Sequence, residues 1–163
     1  MVVFCAVLVL PAVMFPLHAG AAPSQENGPG AQASGAKFSD VAGKNWLLSE
    51  VKSAGKTITI DRGKLAADNM GGFFTISFRE NQAGGVAAPN RYTGPYTVSN
   101  MNLSFGTFAT TMMLAFKEPD GLNEREYLDY LSRISGWNLS GGRLELYGKD
   151  SAGSKTVLTF SLE

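Results

Sequence analysis

Short runs in which apolar and polar side chains alternate make up most of the chain beyond residue 45. Alternation with a period of two is the pattern of a strand with one buried face. The clearest runs are 57–61, 74–78, 101–105, 144–146 and 158–162. Two weaker strand candidates, 46–48 and 137–139, each carry a tryptophan. Pairs of small or polar residues between the runs predict turns: Gly71 and Gly72, Gly84 and Gly85, Ser99 and Asn100, and Gly141 and Gly142.

One segment follows helical spacing instead. It predicts a single short helix near residues 123–135, with Asn123 as the N-cap and Glu126 completing a capping box. Gly136 is placed to end the helix in a left-handed conformation. The apolar positions that set the helical period are Tyr127, Tyr130, Leu131 and Ile134.

Many short strands and one late helix predict a mainly β fold, with α+β as the alternative. The expected architecture is one antiparallel β-rich domain, barrel-like or sandwich-like, with the helix covering one opening or face.

The start of the chain predicts export. Residues 2–17 are almost wholly apolar, and Ala19, Gly20 and Ala21 fit the pattern that signal peptidase cleaves. We therefore expect a signal peptide over 1–21, a flexible linker over 22–38 that is rich in Gly, Ala, Ser and Pro, and a folded domain over 39–163. No basic residue precedes the apolar run, so a retained anchor is the alternative. The expected location is periplasmic or secreted, with possible attachment to the cell envelope.

Composition argues against several chemistries. The only cysteine, Cys5, and the only histidine, His18, both precede the expected cleavage site. A processed chain would have no thiolate or imidazole for a metal site or a nucleophile pair. We therefore expect no catalytic residues, no metal and no cofactor. The 14 basic and 14 acidic residues balance, which gives no reason to expect nucleic acid or an anionic membrane as a partner.

The candidate site is the run Asn90, Arg91 and Tyr92, followed by Gly94 and Tyr96. An amide, a guanidinium and a phenol could converge on an anionic or carbonyl ligand. The structural interpretation, which we favour, is that Asn90 organises a tight turn, Arg91 pairs with an acid, and both tyrosines pack in the core. Gly94 and the proline after it favour a bend.

Two further residues complete the candidate motif, Thr111 and Met113. The run 110–113 could be a nucleophile segment or a Met-lined ligand patch. A threonine without a neighbouring base is a poor nucleophile, and methionine is an adaptable core filler, so we expect structural roles for both. Asp61, Arg62 and the acidic residues of 118–120 could border a polar groove, but surface or ion-pair roles are expected for them.

The motifs taken in order resemble the META-domain family, the heat-inducible HslJ-like envelope proteins, over residues from about 43 to 160. The resemblance implies an exported or envelope-associated protein linked to stress tolerance, with no catalytic residues to carry over. Many members have cysteines where this chain has Pro89 and Ala115, so such a pair cannot form a disulfide here. The matching segments are 46–47, 74–78, 84–85, 90–92, 94, 96, 103–105, 109–113, 124–131, 144–146 and 158–160.

Three functions follow as hypotheses. The first is a non-catalytic interaction or stress-tolerance module of the envelope, whose partner is an unknown envelope protein or small molecule. The second is a small-ligand binder or hydrolase that uses a barrel mouth near residues 90–92, and the third is a protease-inhibitor-like secreted domain. If Arg91 is structural, replacing it with alanine should lower the melting temperature by several degrees.

Overall fold

Eight antiparallel strands close into a barrel in the computed structural model, which describes residues 35–114, 119 and 121–163. The closed order is β1, β3, β4, β5, β6, β8, β9 and β10, and β10 pairs back onto β1. β2 pairs with β1, and β7 pairs with β5. The strands are β1 Asn45–Ser53, β2 Lys56–Thr59, β3 Thr75–Arg79, β4 Gln82–Val86, β5 Arg91–Ser99, β6 Asn102–Phe105, β7 Ala109–Thr110, β8 Ile134–Ser140, β9 Arg143–Lys149 and β10 Lys155–Leu162.

Helical structure is confined to three short segments in this part of the chain. A 3-10 helix spans Phe38–Asp40, α1 spans Arg62–Ala67, and α2 spans Glu124–Ser132. The mainly β prediction is confirmed, and the barrel is the correct one of the two predicted architectures. The signal-peptide prediction for 1–21 and most of the linker prediction lie outside the described residues.

The strand β1 closes the barrel because it has neighbours on both edges. It pairs with β10 from Trp46 opposite Leu162 to Ser53 opposite Thr156. On its other edge it pairs first with β3 and then with β2. A register shift between Leu48 and Glu50 divides the long pairing into two parts, and such bulges increase the local bend that closure needs.

Apolar side chains from the alternating runs fill the barrel. Large aromatic and aliphatic residues are fully buried, and they contribute most of the hydrophobic stabilisation. Phe38 packs its ring against Phe78 and Trp137, with centroids 5.1 and 5.0 Å away. Phe38, at the expected boundary between linker and domain, therefore packs with the domain. The largest buried side chains are Trp46, Phe74, Phe78, Tyr127 and Phe160.

The helix α2 forms where the sequence predicts it, because its start is encoded locally. The Asn123 side chain accepts a hydrogen bond from the Glu126 amide at 2.9 Å, and the Glu126 carboxylate accepts one from the Asn123 amide at 3.4 Å. The predicted C-terminus is wrong. The helix ends at Ser132, and Gly136 lies inside β8 opposite Tyr147, so it does not cap the helix.

Three strands, β4, β5 and β7, and the α-helix α1 were missed. Gly84 and Gly85, predicted as a turn, lie in β4, and Gly94 lies in the middle of β5 where a bend was predicted. The short helix α1 begins at Arg62, with the side chain of Asp61 accepting a hydrogen bond from the Lys64 amide at 2.9 Å. Six residues are too few to show a helical period in the sequence.

Arg62 has an interior role that contradicts the predicted surface or ion-pair role. Its Nε donates to the Leu48 carbonyl at 2.8 Å, and its two terminal nitrogens donate to the Phe73 and Phe74 carbonyls at 2.7 and 2.9 Å. Burial lowers the pKa of the guanidinium, and the nearby Tyr127 opposes that shift. Arginine suits this position because its planar fork can satisfy several carbonyls at once.

We predict that Arg62→Met destabilises the fold by about 3 kcal/mol, because buried carbonyls lose their donors. Urea denaturation measures the change, with Arg91→Ala as the matched control for loss of an exposed arginine. An unfolding midpoint for Arg62→Met equal to that of the wild type would show that the carbonyls do not need this side chain.

Candidate functional site

Asn90 joins three segments that are distant in the sequence. It lies directly before β5, next to a cis peptide bond between Ala88 and Pro89, and only 7% of its surface is exposed. Its Oδ1 accepts hydrogen bonds from the Thr111 hydroxyl at 2.9 Å and the Met113 amide at 2.7 Å. Its Nδ2 donates to the Glu124 carboxylate at 2.9 Å and to the Met113 carbonyl at 3.3 Å.

The two acceptor and two donor positions of the Asn90 amide are therefore all occupied. The Asn90 backbone closes a local bend, since its carbonyl accepts from the Ala87 amide at 2.7 Å, but the partners of its side chain are 21 to 34 residues away in the chain. We call this set of contacts the Asn90 clamp. It fixes residues 111–113 to the start of β5 and to the first turn of α2.

Thr111 and Met113 are the residues that the clamp holds. The Thr111 hydroxyl also accepts from the Arg91 amide at 3.1 Å, and the Thr111 amide donates to the Arg91 carbonyl at 3.0 Å. These bonds continue the β5–β7 pairing by one residue. Met113 is fixed only through its backbone, and its side chain is 60% exposed, so the prediction that it fills the core is wrong.

Tyr92 belongs to the core, as predicted, whereas Tyr96 is half-buried. The Tyr92 and Tyr127 hydroxyls donate to the same Thr75 carbonyl, at 2.7 and 3.0 Å, and lie 3.1 Å from each other. The Tyr96 ring packs on Phe78, with the centroids 5.2 Å apart. The Tyr92 ring contacts that of Tyr127 on α2, which fixes the helix to this part of the barrel.

Burial raises the pKa of both Tyr92 and Tyr127 well above the usual value of 10.0. The charge and hydrogen bond of Tyr127 add to the upward shift at Tyr92, while the hydrogen bond from Tyr92 and the charge of Arg62 partly offset the shift at Tyr127. Both phenols keep their protons at neutral pH, so they serve the fold as hydrogen-bond donors.

Gly94 allows the segment after β6 to cross β5 closely. A Cβ at this position would lie 2.8 Å from Cδ1 of Phe108 and 2.9 Å from the Thr107 carbonyl oxygen. Any side chain would therefore displace this segment, and Phe108 packs edge-to-face on Tyr92. Gly94 is required for packing, and it does not supply the predicted bend.

Arg91 is the exception in the motif. Its side chain is exposed, and it forms no ion pair with another described residue. The predicted acidic partner is therefore not found in this part of the chain. Arg91 points to the outer face of the barrel, since its neighbour Tyr92 points inward and successive side chains of a strand alternate.

An open groove lies beside Arg91 on this outer face. One row of paired positions crosses five strands in register: Asn45, Ser77, Gly84, Thr93 and Ala109. The groove has a volume of about 740 Å³, and Arg91 is the one charged side chain among the described residues that line it. The sequence did not indicate it, because strands from different parts of the chain build it.

A comparison with protein families identifies the family. The META domain family model matches residues 39–162. The chain belongs to the META domain family. No curated protein matches this META domain sequence.

Two solved structures are similar to this META domain. One is the NMR structure of a protein from Burkholderia xenovorans, with a TM-score of 0.57, 24% identity, and 83% of this chain and 97% of the other covered. The other is the crystal structure of a DUF4847 family protein from Bacteroides vulgatus, with a TM-score of 0.50, 14% identity, and 76% and 95% coverage. At these identities the similarity concerns the fold alone.

Among its described residues, the META domain has no helix that is long and apolar enough to cross a membrane. The same residues contain no group of three or more His, Cys, Asp or Glu side chains that could hold a metal ion.

The apolar residues directly after Thr111 lie at the surface, although a core role was favoured for them. Met112, Met113 and Leu114 are 99%, 60% and 89% exposed, and we call them the apolar ridge. The sequence shows the run of apolar residues, but a run of this kind usually indicates a buried strand. Its exposure follows from the Asn90 clamp, which fixes the backbone and leaves the side chains outside.

We predict that Asn90→Ala destabilises the META domain by about 3 kcal/mol, since it breaks several buried hydrogen bonds at once. Urea denaturation measures the loss, and limited proteolysis should show faster cleavage within residues 111–114. Asn102→Ala, at an exposed position of β6, is the matched control. Unchanged cleavage of Asn90→Ala would contradict the clamp.

The raised tyrosine pKa values predict a loss of stability in alkali. Below pH 10 these phenols are protonated in both states, but above it the unfolded chain releases protons first, so the free energy of unfolding falls as the pH rises. Tyr92→Phe should fall less steeply above pH 10 than the wild type in urea titrations. Equal slopes for the two proteins would contradict the assignment.

Proposed function

We propose that this META domain protein is an exported, non-catalytic module of the cell envelope that binds a partner protein through the apolar ridge. The single observation that carries the proposal is the set of three consecutive large apolar side chains at the surface. Contiguous exposed apolar surface is rare on soluble domains unless it mediates an interaction.

The Asn90 clamp supports a binding role for the ridge. Hydrogen bonds fix the backbone of Met113 on both sides, through its amide and its carbonyl. A preorganised segment loses little conformational entropy when it binds. A role in holding a binding surface in place thus explains the hydrogen bonds of the motif without any catalytic role.

A groove next to the ridge gives the partner a shape to match. It has a volume of about 620 Å³. Its lining includes the apolar residues Pro89, Leu114 and Leu128 and the charged residues Glu124 and Arg125. A projecting ridge beside a concave groove is more complementary in shape to a protein surface than to a flat bilayer. The balanced net charge also provides no attraction to anionic lipids.

The absence of catalysis is part of the proposal. The hydroxyls of Tyr92 and Tyr127 remain protonated and engaged with Thr75, and aromatic side chains fill the barrel interior. A substrate pocket inside the barrel mouth would have to displace these side chains. Export is proposed from the apolar N-terminal run and the Ala19, Gly20 and Ala21 pattern.

Ridge variants test the proposal. The full-length tagged protein is used to capture partners from an envelope extract, and the double variant Met112→Ser, Leu114→Ser is compared with Leu162→Ser, which alters an exposed leucine elsewhere. We expect one defined protein whose capture survives Leu162→Ser. The double variant should weaken binding about thirtyfold or more, as for the central residues of an interface.

Other occupants of the ridge give distinct results. Ridge-dependent sedimentation with vesicles of phosphatidylglycerol and phosphatidylethanolamine would identify a lipid surface and overturn the proposal. Ridge-dependent self-association in analytical ultracentrifugation would identify a second copy of the chain, with the same consequence. Equal capture by wild type and double variant would show that the partner binds elsewhere.

A further inference from the structure

The outer-face groove beside Arg91 carries chemistry that the apolar ridge does not use. We propose that this groove is a binding site for small molecules that bear a carboxylate, with Arg91 as the anchoring residue. The proposal goes beyond the envelope-module function, and it rests on different side chains.

The shape of the groove comes from residues without side chains. Gly84 lies at the centre of the row that crosses the sheet, and Gly85 follows it. Gly85 pairs with the inward-facing Tyr92, and a Cβ there would lie 2.1 Å from the Thr75 carbonyl oxygen, so this glycine lets β3 and β4 approach closely. Gly84 lies on the outward-facing row and has no side chain, so the floor of the groove is backbone at this point. From β1 to β5 it crosses three strand spacings, roughly 14 Å, which is the length of about four extended residues, so a dipeptide or a substituted sugar fits within it.

The charge of the groove selects an anion. Arg91 is the one charged residue among the described residues that line it, and no described residue neutralises its guanidinium. A guanidinium presents parallel N–H donors that match the two oxygens of a carboxylate. One positive charge balances one negative charge, so a monoanionic carboxylate fits better than a dianionic phosphate.

Polar groups extend along the groove from Arg91. Thr93 and Thr110 line it, and their hydroxyls can donate to or accept from a ligand. By contrast, the Ser77 hydroxyl already donates to the Gly84 carbonyl at 3.2 Å. These two hydroxyls favour a ligand with a polar body.

The far end of the groove differs in charge from the Arg91 end. Asn45 lines it there and donates from its side-chain amide to the Glu163 carboxylate. A ligand lying along the groove would place its carboxylate at Arg91 and its own donor groups, hydroxyl or amide N–H, towards Asn45. Acidic sugars and short peptides with a free C-terminus both have this arrangement.

Amide NMR spectra of the full-length labelled protein test the proposal. The probes are glucuronate, N-acetyl-dialanine, the C-terminal amide of the same dipeptide, glucose and inorganic phosphate. We expect the two carboxylates to shift the amides of Gly84, Gly85, Thr93 and Ala109, while the dipeptide amide and glucose do not. The carboxylate that binds more tightly identifies the source as a sugar acid or a peptide end.

Variants separate the groove from the rest of the surface. Arg91→Ala should weaken carboxylate binding about tenfold or more, as for loss of a hydrogen bond to a charged group. Arg91→Lys should keep part of the affinity, and Arg143→Ala should leave it unchanged. Ala109→Phe should block the groove without removing a charge, so the test does not depend on one variant.

Specific outcomes would overturn the site. These are equal shifts with the carboxylate and its amide, tighter binding of phosphate than of either carboxylate, shifts confined to other residues, or unchanged affinity in Arg91→Ala. Spectra and melting curves that match the wild type confirm folding of each variant. Because the ridge variants leave Arg91 in place, failure here and failure of partner capture are independent results.

Discussion

The side-chain amide of Asn90 is the interaction on which the presentation of the surface depends. One residue accepts twice and donates twice, and it thereby fixes the start of β5, the segment around Met113 and the carboxylate of Glu124. A buried amide with all of its partners in place is both stable and geometrically specific. The chain after β7 consequently has one position relative to the barrel and to α2.

The other residues of the motif stabilise this position of the chain from inside the barrel. Tyr92 and Tyr127 share the Thr75 carbonyl, which connects β5, α2 and β3. Gly94 lets Phe108 cross β5, and Phe108 then packs on Tyr92. The residues of the motif thus form two groups, according to the side of the strand on which they lie. Its inward residues build the barrel wall, and its outward residue Arg91 borders a groove that is open to solvent.

The sequence predicted correctly those elements whose formation depends on residues close together in the chain. The capping box of Asn123 and Glu126 fixes the start of α2, and alternation identifies strands such as β10. The pairing of β1 with β10 that closes the barrel could not be predicted from the sequence, because the two strands lie about 110 residues apart in the chain. The glycines of β4 and β5 were misread as turns, since their cause is close approach of distant segments. Arg62 was misassigned because its acceptors are backbone carbonyls.

Hydrogen exchange at the Met113 amide tests the account most directly, since this amide donates to Asn90 at 2.7 Å although its side chain is exposed. The clamp predicts that the amide exchanges slowly in the wild type, at a rate close to that of the neighbouring strand β5. Exchange at the rate of an unstructured peptide would contradict the account, because the apolar ridge would then have no fixed position.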